Sequence, residues 1–330
     1  MDNKYIIEQL NSNEVEKIAQ LYTISFGRAA YANTFRWKYF ENPIGEPVSL
    51  GIKEKGDLIG ALTIVPEEFY VFGQKHTIYK CIDLMIHPEH RGGWLASRLF
   101  TLLSKRLKQD KVLFMYSICA RHTTLFFLRC KWKKLDEMKY YFKHKIQFKV
   151  KFLFKNLDQL YKKGVLKEIK SVSELCENYK FKIDTTKIHI VKDEKYFSWR
   201  LKDPRFKYTI IGYYESGSLK GYIIYNTGTA NNTYIADLEA DNDDKRIIKL
   251  LLDAAEFAAH KLNCKSIITL AVTGSLFQRF IKQNGYICNP FNKGPLTSKI
   301  DFDVLAGDVY KDRLLDKSNW HIYPFNYDAI

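Results

Sequence analysis

One stretch, residues 79–105 (YKCIDLMIHPEHRGGWLASRLFTLLSK), constrains the fold of this chain more than any other. Residues 79–86 form an apolar run stopped by His87-Pro88, the pattern of a mostly buried strand. Arg91, Gly92 and Gly93 then open a helix whose Leu95, Leu99, Leu102 and Leu103 share one face at helical spacing. A strand, a Gly-rich turn and a helix N-terminus in succession make an anion site. The first N–H groups of the helix have no partner within it, and the helix dipole adds partial positive charge there. Glycine lets the backbone approach a phosphate with no side chain between them. An ordinary strand–turn–helix shares this pattern, so the rest of the chain has to decide between the two.

At 330 residues, two domains are expected. The formal charge of +15 favours acidic partners: nucleotides, coenzyme A, nucleic acid or an anionic membrane surface. Lysine supplies most of it and is spread along the chain, as on a solvated surface. Cys81, Cys119, Cys130, Cys176, Cys264 and Cys288 show no CxxC pair and no metal spacing, so reduced thiols, no metal and a cytoplasmic setting are expected. No signal-peptide pattern follows Met1, and no apolar run has the length to span a bilayer.

In chain order, residues 13–26 read as an amphipathic helix, and an aromatic segment containing Phe35, Trp37, Tyr39 and Phe40 ends at Asn42-Pro43. Residues 48–53 and 58–65 read as a hairpin turning at Lys55-Gly56-Asp57. Residues 70–74 and 77–86 form another, leading into the glycine turn. Residues 112–118 are then a strand, 123–130 a helix and 135–148 a returning strand. The Lys-rich residues 149–170 read as a strand end and a short helix connecting two lobes.

After the connector the pattern repeats. Phe197-Ser198-Trp199 through Asp203-Pro204 echoes Phe35-Arg36-Trp37 through Asn42-Pro43, and Gly217-Ser218-Leu219-Lys220-Gly221 echoes Gly56-Asp57-Leu58-Ile59-Gly60. Residues 247–262 read as a helix, 266–272 as a strand and 276–283 as a helix. A repeat of this length implies a second lobe built like the first. Asp241, Asp243 and Asp244 stand where the glycine turn would be, and their carboxylates would repel phosphates.

The string Ile86-His87-Pro88-Glu89-His90-Arg91-Gly92, with Ala96 after it, resembles the acetyl-CoA signature V-x-P-x-x-R-G-x-G-x-[GA] of the GNAT acyltransferases. Trp94 stands where that family has its second glycine, with Gly93 one place early. The element order also resembles that fold, and the chain as a whole is similar to tandem GNAT enzymes of bacterial surface-polysaccharide gene clusters. The resemblance implies an α/β (α+β) architecture of two tandem GNAT-like lobes, each a mixed, mostly antiparallel sheet flanked by helices. The expected division is 1–148 for the lobe with the signature, 149–170 for the connector and 171–330 for the lobe without it. It also implies strands that splay on either side of the signature helix, and a β-bulge near residues 84–86 that frees backbone groups for the pantetheine arm. The coenzyme would be held by Leu84, Met85, Ile86, Arg91, Gly92, Gly93, Trp94, Leu95, Ala96 and Ser97.

Acyl transfer from a thioester needs a deprotonated amine, a stabilised oxyanion and a proton for the leaving thiolate. Asp83 is the catalytic candidate, because a carboxylate inside an apolar run is costly unless it is used or paired. The position where the family often carries a protonating tyrosine corresponds to Phe127, leaving Tyr116, Ser117 or His122 as substitutes. Cys119 reads as a buried thiol, and His87 and His90 as surface residues. The terminal carboxylate of Ile330 is a further candidate base.

These residues lead to an acetyl-CoA-dependent N-acyltransferase acting on the amine of a small-molecule acceptor, with an amino sugar as one such acceptor. The alternatives are a Fem-like transferase using aminoacyl-tRNA, for which the net charge would supply phosphate contacts, and a GNAT-fold binding protein without catalysis.

Overall fold

The structure, a computed structural model, describes residues 4–92, 94–228, 231–289 and 299–327. An edge strand β1 (Ile6–Gln9) is followed by α1 (Val15–Phe26) and α2 (Ala32–Phe35), which runs on into a π-helical turn at Arg36–Phe40. Next come an antiparallel meander, β2 (Val48–Glu54), β3 (Asp57–Val71) and β4 (Gln74–Ile86), then α3 (Leu95–Gln109), β5 (Phe114–Ala120), α4 (Arg121–Arg129) and β6 (Lys133–His144). The middle of the chain forms α5 (Lys145–Phe154), α6 (Asp158–Lys162), β7 (Leu166–Ile169), α7 (Val172–Asn178), β8 (Ile188–Ile190) and α8 (Glu194–Arg200). A second meander follows, β9 (Tyr208–Glu215), β10 (Ser218–Thr227) and β11 (Asn232–Ala240), with α9 (Lys245–Lys261), β12 (Ser266–Val272) and α10 (Leu276–Gln283). The chain closes with β13 (Ile287–Cys288), β14 (Ile300–Ala306), α11 (Lys311–Leu314) and β15 (Trp320–His321).

Local chemistry accounts for the hairpins. Lys55-Gly56, Phe72-Gly73 and Ser216-Gly217 each join two strands through a pair of residues with positive φ. That is the backbone of a type I′ turn, whose twist matches the strands it connects, and glycine meets the second positive φ without strain.

The strands form one large, mostly antiparallel sheet in the order β1-β2-β3-β4-β5-β14-β6-β12-β11-β10-β9-β7. Two features of this order matter for function. First, β14 from the end of the chain lies between β5 and β6, with Ile300 opposite both Ala120 and Met138. The far end of β6 then pairs with β12, His144 facing Ser266. Each half of the chain therefore pairs with a strand from the other. Second, both parallel neighbours part early. β4 and β5 are paired only at Tyr79–Met115 and Lys80–Tyr116, and β11 and β12 only over residues 232–234 against 266–268.

Helices cover both faces. Leu95, Leu99 and Leu103 of α3 bury one stripe against the sheet, while Val15, Ile18 and Leu21 of α1 pack on its opposite face. Where the halves meet, Trp320 stacks edge-on against Phe114 and Phe302 at 5.0 and 5.1 Å. Among the described residues no helix is long and apolar enough to cross a membrane.

Some boundaries differ from the sequence reading. The strand expected to reach residue 148 stops at His144, whose ring accepts from the Ile146 N–H and starts α5. The Lys-rich stretch folds as α5, α6 and β7, with Lys151 bonded to Glu256 of α9 at 2.7 Å. Strand β1 had no sequence signal, because it is an exposed edge without apolar alternation.

Candidate functional site

The site begins with an irregularity in β4. Ala61 of β3 faces Met85 and Thr63 faces Ile82, so Leu62 alone opposes both Asp83 and Leu84. This is a β-bulge, one residue ahead of the expected 84–86. Asp83 takes φ 49°, a left-handed conformation that Asp tolerates better than its apolar neighbours would. The bulge puts Ile82 and Asp83 on the α1 side of the sheet and turns Leu84 and Ile86 toward α3, while Met85 is buried on the α1 side.

The Oδ2 atom of Asp83 accepts hydrogen bonds from the Lys38 ammonium at 2.6 Å and the Tyr39 hydroxyl at 2.7 Å. Both donors come from the π-helical turn, whose wider spacing presents consecutive side chains toward β4. Lys38 and Asp83 are both nearly buried, so their attraction offsets part of the cost of taking each charge out of water.

On the α3 side, the strands that part after Lys80–Tyr116 open a cleft of about 1680 Å³. Leu84 and Ile86 form one wall, the turn at Arg91-Gly92 one end, and Phe126, His122 and Thr123 of α4 face them across the opening. Leu95, Ala96 and Ser97 line the cleft from the first turn of α3. Gly92 has φ +81°, and a Cβ placed there would meet no heavy atom within 4 Å, so the turn is open to a ligand. Arg91 clamps this turn from behind. Its Nε donates to the Ile86 carbonyl at 3.1 Å and its Nη2 to the Ser25 carbonyl at the end of α1.

Trp94 stands apart from the cleft lining. Its indole is half exposed, meets Tyr5 edge-on at 5.9 Å and carries the Arg98 guanidinium 5.0 Å from its centre. Gly93 and Ile330 lie outside the described residues.

The proton-donor candidates separate clearly. Phe127 is buried and stacked on Trp132 at 4.5 Å, so this position is part of the core. Tyr116 is also buried, with its hydroxyl on Glu67, and burial pushes its ionisation far up. Ser117 donates to the Cys81 carbonyl at 3.0 Å. His122 alone of the three substitutes lines the cleft. His90 lines it as well, and His87 caps the turn by accepting from the Glu89 N–H. Cys119 is held unionised by burial and by the neighbouring Asp303, which argues against a nucleophile.

Asp303 escaped the sequence reading. It lies on β14, the strand brought in from the other half, with Oδ2 accepting from Thr124 at 2.7 Å and from the Cys119 thiol at 3.4 Å. Burial raises its carboxyl to about 6, and Oδ1 is buried without a hydrogen-bond partner. Its only sequence signal is a carboxylate in an apolar run, the same signal that marked Asp83.

The second half also has an aspartate beside a β-bulge, without the cleft. Asp237 of β11 pairs in register with Ile224 next to a shift that skips Ala236. It accepts from Lys192 at 2.9 Å and from Tyr222 at 2.8 Å. The loop that follows is acidic as read. Asp244 accepts from the Arg246 and Ile247 N–H groups, so a side-chain carboxylate occupies the helix end where a phosphate would sit. Ile322 and Tyr323 from the end of the chain pack beside Leu238 and Phe280, leaving a pocket of only about 70 Å³. Among the described residues no cluster of His, Cys, Asp and Glu has metal-binding geometry.

Residues 7–123 match the family model described as an acetyltransferase (GNAT) domain. No curated protein sequence matches the chain significantly. A probable N-acyltransferase from Enterococcus faecalis V583 superposes with a TM-score of 0.60 at 13% identity, covering 92% of this chain and 72% of its own. Saccharomyces cerevisiae N-myristoyltransferase with bound myristoyl-CoA gives 0.60 at 13% identity, with 93% and 80% covered. A GCN5-related N-acetyltransferase from Kribbella flavida gives 0.59 at 10%, with 92% and 71% covered. At these identities the likeness is one of fold.

Proposed function

We propose that this chain is an acyl-CoA-dependent N-acyltransferase, with acetyl-CoA as donor and the amine of a small molecule, such as an amino sugar, as acceptor. The observation that carries this reading is the cleft between β4 and β5, closed at one end by the Arg91-Gly92 turn and bordered by the bulged strand. Two lobes are part of the proposal: 1–148 with the coenzyme site, 171–330 without it, and 149–170 between them, tied together by the crossed strands. We also place the protein in the cytoplasm, where its free cysteines would stay reduced.

In this reading the pantetheine arm lies along Leu84, Met85 and Ile86 and bonds to their backbone, and the pyrophosphate rests on the turn from Gly92 and Gly93 to Leu95, Ala96 and Ser97. Arg91 keeps that turn in shape. The acceptor enters from the opposite, α1 side, toward which Asp83 faces. The amine nitrogen attacks the thioester carbonyl, a C–N bond forms and the C–S bond breaks. Backbone N–H groups of the bulge stabilise the oxyanion. Asp83 takes the amine proton within its cluster with Lys38 and Tyr39, and His122 supplies a proton to the thiolate.

Calorimetry with acetyl-CoA tests this directly. One site per chain is expected, because only one of the two crevices has room for a coenzyme. Two sites would overturn the assignment of the lobes. Thermal stabilisation by aminoacyl-tRNA but by no acyl-CoA would replace the proposal with the Fem-like alternative, and coenzyme binding without transfer to any amine would favour a binding protein.

A further inference from the structure

Helix α5 has two unlike faces. Inward, Phe148 is fully buried and the ring of Phe152 meets Phe257 at 5.1 Å. Lys151 and Lys155 reach the carboxylates of Asp253 and Glu256 behind the helix, and Lys143 also pairs with Glu256. Outward, Ile146, Val150 and Leu153 are 62%, 51% and 75% exposed, spaced four and three residues apart so that they form one stripe. Leu262 is also 56% exposed, on the loop whose Lys265 carbonyl accepts from the Lys145 N–H at the start of the helix. Scattered exposed aliphatics are ordinary, but a contiguous stripe on one helix face marks a contact surface.

The charges around the stripe are lysines. Lys149 lies within it, Lys145 and Lys265 at its start, and Lys162 and Lys163 follow at the end of α6. The surface carboxylate of Asp158, at the start of α6, is paired with Lys261 at 2.8 Å, while Asp253 and Glu256 are buried behind the helix. The face therefore combines aliphatic side chains with ammonium groups that, among the described residues, pair with no carboxylate, on a chain of net charge +15.

We propose that the outer face of α5 docks the protein on an anionic lipid surface, with Ile146, Val150 and Leu153 entering the headgroup boundary and the flanking lysines pairing with lipid phosphates. Charge complementarity selects this occupant. Lysine is a point charge without directional demands, which suits a fluid layer of phosphates better than a fixed protein partner. A short helix lying in the interface needs both contributions, since three aliphatic side chains alone bind weakly. This inference is independent of the acyl-transfer proposal, because α5 touches neither the cleft nor Asp83.

Co-sedimentation of the full chain with vesicles tests it. Binding is expected to phosphatidylcholine vesicles containing phosphatidylserine and not to phosphatidylcholine alone, and it should weaken steeply between about 0.1 and about 0.5 M salt. Ile146→Ser with Leu153→Ser, and separately Lys149→Glu, should each reduce binding by roughly tenfold or more. Their melting temperatures should stay unchanged, because these side chains are solvent-exposed. Equal binding by the variants, or no preference for the anionic vesicles, would overturn the proposal. So would a concentration-dependent dimer that the same substitutions abolish, which would assign the face to a second copy of the chain.

Discussion

Trp37 and Trp199 hold each other by reciprocal hydrogen bonds. The Trp37 indole donates to the Trp199 carbonyl at 2.9 Å, the Trp199 indole donates to the Trp37 carbonyl at 3.0 Å, and the rings stack 5.3 Å apart. Each indole donates to the other residue's carbonyl, so the contact itself has the symmetry of a local two-fold axis. Trp199→Phe keeps an aromatic face but removes one donor, and should cost about 1 kcal/mol in urea unfolding. Trp37→Phe should cost a similar amount. Because the residues share one contact, the double variant should lose less than the sum of the two.

Asp83→Asn distinguishes a catalytic carboxylate from a structural one. If Asp83 takes the amine proton, turnover should fall by roughly 10²–10⁴-fold while acetyl-CoA affinity is kept. The variant also removes the Asp83 charge from its nearly buried pair with Lys38, so some loss of melting temperature is expected. Asp237→Asn, which disturbs the equivalent cluster in the other half, provides the control for that loss. If both variants lower stability alike and neither changes turnover per folded molecule, the two aspartates are structural.

Arg91→Ala should weaken coenzyme binding by roughly 1.5–3 kcal/mol, in line with losing hydrogen bonds to a charged group. The effect acts through the turn, since the guanidinium is bonded to the Ile86 and Ser25 carbonyls. Arg200→Ala, in the repeat, should lower stability by breaking its buried pair with Asp203 and leave coenzyme affinity unchanged. Calorimetry on the two variants checks both statements.

Trp94→Gly should preserve acetyl-CoA affinity or improve it slightly, because the indole packs outside the cleft against Tyr5 and Arg98. A clear loss of affinity in a titration would mean that the coenzyme reaches around the turn onto the indole.

Asp303 gives a pH-dependent prediction. Its carboxyl is raised to about 6 by burial, so between its ordinary value and about pH 6 the folded state binds more protons than the unfolded state. Stability therefore falls as pH rises through that window, and the deficit is complete above it. Asp303→Asn removes the deficit and should raise stability by up to roughly 2–3 kcal/mol at about pH 8, with little gain at about pH 4. Thermal melts at the two pH values measure the difference.

The sequence by itself determined the local elements. The apolar run, Arg91-Gly92 and the leucine stripe specify a strand, a turn and a helix, because side-chain periodicity and glycine conformation act over a few residues. Residues 266–272 and 276–283 fold as read for the same reason. The acidic stretch at Asp241–Asp244 likewise folds as a turn into a helix, with Asp244 accepting from that helix's first N–H groups. Only the tertiary structure decided what lies far apart in sequence. That Lys38 and Tyr39 hold Asp83, that β14 carries Asp303 beneath α4, and that Ile322 and Tyr323 fill the second crevice all depend on chain crossings that no local pattern encodes. A carboxylate in an apolar run shows that a partner is required; which partner it finds, and whether it faces a cleft, is set by strands that meet only once the whole sheet has formed.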